Sequence, residues 1–240
     1  MKIIFVRHGE PLRYEYGIAD MGKKEMQMLA DYLECNFSIG HIYSATSQRA
    51  KESTFELNKE WRKNIVYCDW LSEFKYPLKF EQLKGSFPWE LPPEMWINDD
   101  MNLDYKNCLN SAILEESDVA ENVYKVWHKI DEILASHGYR RNGNLYDVIE
   151  PNLDEIVVVT HFATMAVIIA HLLNISIFIA LNMLFMAPSS YTVLATEEIQ
   201  KGKAIFRCLE LGSTKHLYGR NELKSEYGRQ DEVKEQSYGE

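Results

Sequence analysis

Short apolar runs alternate with amphipathic stretches along the first seventy residues of the chain. The apolar run over Lys2–Val6 predicts a first strand. Apolar positions at helical intervals then predict a helix over residues 21–35, with Asp20 as its N-cap. The next predicted elements are a strand over 41–44, a helix over 48–61 that Thr46 or Ser47 caps, and a strand over 64–68. Strands alternating with helices favour an α/β fold with a doubly wound sheet.

The pattern changes after this first part of the chain. Residues 74–117 carry most of the prolines together with many aromatic side chains, and they predict an insertion with short helices. Long insertions after a strand end often act as lids over a pocket. An aromatic subdomain that packs only on itself is the equally weighted alternative.

A strong helical pattern resumes over 119–137 and ends at Gly138. A loop over 140–154 then leads to a second apolar, β-branched run at 156–160, which predicts another strand followed by a helix. Two closing strands are predicted over 191–195 and 204–209. We therefore expect one domain over residues 1–220, with 74–117 as a cap or insertion and 221–240 as a charged C-terminal tail.

Composition narrows the class of protein. The formal net charge of −10 argues against a general nucleic-acid binder, which needs a basic surface. Polar residues interrupt the most apolar stretch, so a buried helix is expected there and no membrane span. The four cysteines are widely spaced, which favours reduced thiols. With no leader-like segment before the first strand, a cytoplasmic location is expected.

The first candidate for chemistry is the tetrapeptide Arg7-His8-Gly9-Glu10, which follows the first predicted strand directly. His161 follows the apolar run 156–160 in the same way. Ligands of open α/β sheets bind outside the carboxyl ends of the strands. An imidazole there can act as a nucleophile when its other ring nitrogen is fixed, and an adjacent arginine matches phosphate geometry.

Further groups complete a site for phosphoryl transfer. Arg49 lies near the predicted N-terminus of a helix, a position that favours anions. Gly9 permits close approach of the backbone to a phosphate. Glu73, just past the third strand, can donate the proton of the leaving group if its pKa is raised, with Glu10 and Glu81 as alternatives. No cluster of His, Cys and acidic residues has metal-ligand spacing, so we expect no metal.

Five segments in order resemble the motifs of the histidine phosphatase superfamily, in its phosphoglycerate-mutase-like branch. The segments are Arg7–Glu10, Asp20–Gly22, Ile42–Thr54, Leu71–Glu73 and Val157–His161. The resemblance implies a three-layer α/β/α sandwich with a mostly parallel sheet. It also implies a phosphohistidine intermediate on His8, phosphate binding by Arg7, Arg49 and His161, proton donation by Glu73, and no cofactor.

Two departures from the family pattern bear on the activity. Mutases of this family carry a hydroxyl residue and an asparagine after the nucleophile, and this chain has Pro11-Leu12-Arg13-Tyr14 in that region. The glycine pair usual after the second histidine is replaced by Phe162-Ala163. A metal-independent phosphatase acting on a small phosphorylated metabolite, as a monomer or homodimer, is therefore expected. A mutase and a phosphate-binding module without turnover are the alternatives.

Overall fold

The computed structural model describes residues 1–12 and 16–219. The predicted tail at 221–240 lies outside them. The described residues form eight strands and six α-helices. In chain order these are β1 (Lys2–Arg7), α1 (Asp20–Asn36), β2 (Ile39–Ala45), α2 (Gln48–Trp61), β3 (Ile65–Cys68), α3 (Asp100–Leu103), α4 (Val119–Ser136), β4 (Tyr139–Asn142), β5 (Leu145–Val148), β6 (Glu155–Thr160), α5 (Phe162–Leu173), α6 (Ile177–Met183), β7 (Tyr191–Gln200) and β8 (Lys203–Ser213).

All eight strands belong to one sheet with the order β3-β2-β6-β1-β7-β8-β5-β4. The strands β3, β2, β6 and β1 run parallel to one another. From β1 onward each pairing is antiparallel. The α/β class is confirmed, but the sheet is mixed, and only its first half fits the expectation of a mostly parallel one. The long β7–β8 hairpin extends the sheet beyond the parallel half.

The two central strands explain why this half of the sheet sits in the interior. Every residue of β1 after Lys2 and of β6 after Glu155 is buried. Parallel strands that are covered on both faces have such unbroken apolar sequences. The crossovers through α1 and α2 run toward β3, whereas the connection through α4 runs back to β6. Right-handed crossovers therefore place α4 on the face opposite α1 and α2.

The N-cap of α2 agrees with the sequence prediction, and the N-cap of α1 differs from it. Ser47 caps α2, and its Oγ accepts a hydrogen bond from the Ala50 N–H at 3.4 Å. The N-cap of α1 is Ala19, so the prediction of Asp20 was wrong by one residue. Asp20 still lies in the first turn, where its charge interacts favourably with the helix dipole.

The region predicted as a loop over 140–154 contains the β4–β5 hairpin instead. Gly143, with φ of +60°, supplies the left-handed conformation that its two-residue turn requires. Arg141 on β4 donates to the hydroxyls of Tyr146 and Tyr105 at 3.0 and 3.1 Å. Because Tyr105 belongs to the insertion, this contact fastens the insertion to the sheet.

The insertion 74–117 consists of short helical turns and α3, and it packs on the α5–α6 region. Trp96 is 3% exposed and stacks on Phe178 of α6, with their ring centroids 6.2 Å apart. Asn182 donates to the Pro88 carbonyl at 3.0 Å. No helix within 1–12 and 16–219 is long and apolar enough to cross a membrane.

Candidate active site

Two histidines meet at the carboxyl edge of the parallel strands. His8 follows β1 and His161 follows β6, and these strands are neighbours whose last paired residues are Arg7 and Thr160. The ring centroids of the histidines lie 4.9 Å apart, and the rings are tilted by 59°. Both side chains are 1% exposed. The equivalent strand-end positions that the sequence predicted thus bring the two imidazoles together.

The ring of His8 is fixed by its own main chain. Its Nδ1 lies 2.8 Å from the Gly9 carbonyl oxygen, which can only accept, so Nδ1 carries the proton and Nε2 carries a lone pair. The backbone N–H of His8 donates to the Thr160 carbonyl at 3.0 Å, and its carbonyl accepts from the Ser189 N–H at 3.0 Å. Burial lowers the pKa of His8 well below its ordinary value, and the neighbouring His161 ring and Arg7 guanidinium, which disfavour a second positive charge, add to the shift. The imidazole is therefore neutral and nucleophilic near pH 7.

Gly9 is needed for close packing against the first helix. Its N–H donates to the Ser53 hydroxyl of α2 at 2.9 Å. A Cβ at this position would lie 3.0 Å from the Gly22 carbonyl oxygen and 3.2 Å from Met26 Cγ. Contacts of 3.0 to 3.4 Å require the neighbours to yield, so a side chain here would displace the chain next to His8.

Two arginines place positive charge close enough to act on the histidines. Arg7 is 5% exposed, and its Nη1 donates to the Met186 carbonyl at 2.6 Å. Its guanidinium lies 5.6 Å from the ring centroid of Phe162. Arg49 belongs to the first turn of α2, and its charge, like that of Arg7, lowers the pKa of both His8 and His161. Both arginines therefore act on the space between the rings.

Two helix N-termini also converge on this space. His161 is the N-cap residue of α5, and Ser47 is the N-cap residue of α2. The Nε2 of His161 lies 2.8 Å from Ser47 Oγ. Helix N-termini carry partial positive charge and favour anions. Burial and the charges of Arg49 and Arg7 lower the pKa of His161 to about 3, so its imidazole is neutral near pH 7.

Glu73 lies on the other side of His161. Its Oε2 is 3.6 Å from His161 Nδ1, and its Oε1 accepts from the Ala163 N–H at 3.2 Å. Burial raises the pKa of Glu73, while the charge of Arg7 and the hydrogen bond from Ala163 oppose that shift. A carboxyl group with a raised pKa next to the histidines has the properties of a general acid.

The loop that carries Glu73 is attached to α5 and β6 by two threonine hydroxyls. Thr160 Oγ1 donates to the Leu71 carbonyl at 2.5 Å, and Thr164 Oγ1 donates to the Ser72 carbonyl at 2.6 Å. These bonds fix the main chain immediately before Glu73. They position its carboxyl group relative to His161.

The other candidate acids occupy different places. Glu81 is exposed on a short helical turn of the insertion. Glu10 is partly buried, and its carboxylate acts on the pKa of Glu25 in α1. Between residues 1–12 and 16–219, no group of three or more His, Cys, Asp or Glu side chains could hold a metal ion.

Several residues of this site carry no sequence signal for chemistry. Ser47 is recognisable only as a helix cap, and the threonines 160 and 164 look like ordinary strand and helix residues. The segment 184–190, which holds the side chain of Arg7 and the carbonyl of His8, has no motif. One signal was available at Glu25, where a carboxylate interrupts the apolar face of α1.

A family model for the histidine phosphatase superfamily (branch 1) matches residues 3–202. The chain belongs to this superfamily. No functionally curated protein sequence matches the chain.

Solved structures with 18% identity or less share the fold. A phosphoserine phosphatase from Entamoeba histolytica, in complex with phosphoserine, is 18% identical and superposes with a TM-score of 0.57 over 90% of this chain and 98% of its own. The Bacillus stearothermophilus protein YhfR is 17% identical, with a TM-score of 0.57 and coverages of 90% and 98%. A mycobacterial glucosyl-3-phosphoglycerate phosphatase is 16% identical, with a TM-score of 0.55 and coverages of 88% and 97%.

Proposed function

We propose that this protein is a phosphatase that hydrolyses a phosphomonoester through a phosphohistidine on His8. The observation that carries the proposal is the hydrogen bond from His8 Nδ1 to the Gly9 carbonyl, because it leaves Nε2 as the nucleophile beside His161. Membership of the histidine phosphatase superfamily supports it. The substrate we propose is a small phosphorylated metabolite, and the reaction needs no metal.

In the first step, Nε2 of His8 attacks phosphorus and the bond from phosphorus to the ester oxygen breaks. Glu73 gives its proton to the departing oxygen, which leaves as an alcohol. The phosphoryl oxygens lie among Arg7, Arg49 and His161, whose donors balance their charge. A phosphate dianion beside His161 raises the low pKa of its imidazole, which turns this residue into a third cationic donor after the two arginines.

In the second step, water attacks the phosphorus of the phosphohistidine. The carboxylate of Glu73 takes the proton of the water, and the bond between phosphorus and Nε2 breaks. Inorganic phosphate leaves, while His8 regains its lone pair and Glu73 its proton. The cycle closes without any further reactant.

Release of phosphate from p-nitrophenyl phosphate and from a panel of phosphorylated metabolites tests this function. The wild type should release phosphate in the presence of a chelator, and His8→Ala should reduce the rate by about 1,000-fold or more. His128→Ala is the matched control, because His128 is exposed on α4. Loss of activity with chelator and its rescue by one divalent ion would contradict the metal-free mechanism. Transfer of phosphate to an acceptor alcohol, without net release, would instead indicate a mutase.

A further inference from the structure

One titratable group in the interior has no part in the chemistry described above. Glu25 of α1 is 0% exposed, although its helix neighbours on the same face are apolar or small. Gly22 lies one turn earlier on that face, and a Cβ there would be 2.6 Å from the Glu10 nitrogen. The helix therefore packs directly on the main chain that follows His8. Glu25 faces the same segment from one turn further along.

The carboxylate of Glu25 reaches the nucleophile through one residue. Ser189 Oγ donates to Glu25 Oε2 at 2.6 Å. The N–H of the same serine donates to the His8 carbonyl at 3.0 Å. Glu25, Ser189 and His8 thus form a continuous hydrogen-bonded chain from α1 to the end of β1.

Ser189 has an unusual backbone conformation, with φ of +60°. Non-glycine residues adopt the left-handed region at a cost, and surrounding contacts must hold them there. The hydrogen bond to Glu25 is such a contact, and it orients the N–H that binds the His8 carbonyl. This gives a physical reason for a carboxyl group in the core, where an unpaired polar group is costly.

Among the described residues, Glu10 is the charged group that acts on Glu25. The backbone N–H of Glu10 acts on Glu25 as well as its carboxylate. Burial, reinforced by the Glu10 carboxylate, raises the pKa of Glu25 to about 7, and the hydrogen bonds from the Ser189 hydroxyl and the Glu10 backbone oppose the shift. Either protonation state offers an oxygen to Ser189, so the chain to His8 persists in both.

We infer that Glu25 is a positioning residue for the nucleophile: through Ser189 it fixes the main chain of His8 and thereby the direction of its Nε2. The inference rests on the proposed function of His8 and adds to it. A misplacement of the nucleophile by about 1 Å costs about 100-fold in rate, so the effect falls on kcat. Substrate affinity, which depends on the arginines, stays the same.

Three variants separate positioning from folding. Glu25→Met keeps the volume and removes the acceptor, and it should lower kcat by about 10- to 100-fold with KM unchanged. Glu25→Gln keeps an acceptor oxygen for Ser189 and should restore kcat to within about threefold of the wild type. Ser189→Gly keeps the N–H but removes the hydroxyl that binds Glu25, and glycine adopts many backbone conformations, so the N–H is no longer fixed and kcat should fall as in Glu25→Met.

The matched control is Glu56→Met, since Glu56 is a buried glutamate of α2 whose carboxylate binds Lys59 and Gln27. Its kcat should be unchanged. Combining Glu25→Met with Ser189→Gly should cost no more than either change alone, because both break one chain. If Glu25→Met fails to fold, the comparison of Ser189→Gly with the wild type decides the inference in the same way.

A readout on the unliganded protein separates this inference from the proposed function. Nitrogen-15 NMR of the His8 ring should show one tautomer in the wild type and a mixture in Glu25→Met. A wild type that forms no phosphoenzyme contradicts the proposed function. An unchanged His8 spectrum together with full kcat in Glu25→Met or Ser189→Gly overturns the positioning role.

Discussion

Ser47 and His161 join the N-termini of two helices at the candidate active site, with Ser47 Oγ 2.8 Å from His161 Nε2. Each residue is the N-cap of its own helix. The hydroxyl also accepts from the Ala50 N–H. One serine therefore caps α2 and also contacts Nε2 of His161, the ring nitrogen that we expect to bind phosphate.

Replacing Ser47 should affect stability and phosphate affinity separately. Ser47→Ala removes a cap and should lower the free energy of unfolding by about 1 kcal/mol, measured by urea denaturation. It should also change the inhibition constant of inorganic phosphate, because His161 loses its neutral partner. Ser47→Thr retains the hydroxyl and is the control. Equal phosphate inhibition in Ser47→Ala and the wild type would mean that His161 does not contact the anion.

Glu73→Gln tests the proton donor. In the first step, the variant should release the alcohol from alkyl phosphates about 100-fold or more slowly, and the release of p-nitrophenol should slow much less, because only a poor leaving group needs the proton. Single-turnover rates of alcohol release measure this difference, since the later hydrolysis step, in which Glu73 activates water, is common to both substrate types. Glu10→Gln is the control variant, since the Glu10 carboxylate acts on Glu25 in α1. Equal losses for both substrates would make Glu73 a binding group.

The buried carboxyl of Glu25 should make folding stability depend on pH. Its pKa is raised from 4.5 to about 7, so folding favours the protonated form. The stability associated with this proton is complete below pH 4.5 and is lost as the pH rises through 7. Glu25→Gln cannot ionise. Its stability relative to the wild type should therefore rise by up to about 3 kcal/mol across this range. A flat difference between pH 4 and 8 would contradict the shift.

Lys75 is expected to recognise a second anionic group of the substrate. Its side chain is exposed next to Glu73, and its charge acts on the pKa of Glu73 and of His161. We propose that the insertion 74–117 covers the substrate at this point. Lys75→Met should raise KM about two- to fivefold for substrates with a second charge, and leave p-nitrophenyl phosphate unaffected. Lys84→Met, an exposed lysine of the same insertion, is the control. If Lys75→Met changes KM by the same factor for both substrate types, then Lys75 does not recognise the second charge.

The strands that carry the site could be predicted because their burial is complete. β1 and β6 have unbroken apolar sequences in their middle residues, and a histidine directly follows each strand. The β4–β5 hairpin was missed because Arg140–Asn142 is polar and half-exposed, so no alternation marked it. The Gly143-Asn144 dipeptide that forms its turn was the signal available.

Contacts made by long-range packing could not be predicted in the same way. Nothing in the sequence places Ser189 under the His8 carbonyl, since the two residues are far apart in the chain. Met21 and Met28 are two of the apolar positions that predict the helix over residues 21–35, but they are only partly buried in α1, whereas Glu25 lies on the buried face. Tertiary packing determines which face of α1 is buried, and helix propensity alone does not determine it.

The most direct test of the central claim is to trap the phosphoenzyme. Rapid quenching at alkaline pH after mixing with ³²P-labelled substrate should leave label on the protein, and peptide mapping should place it on His8. His8→Ala should carry no label, and Glu73→Gln should accumulate label from an aryl phosphate. Label on a different residue, or turnover of the wild type without labelled protein, would contradict a phosphohistidine on His8.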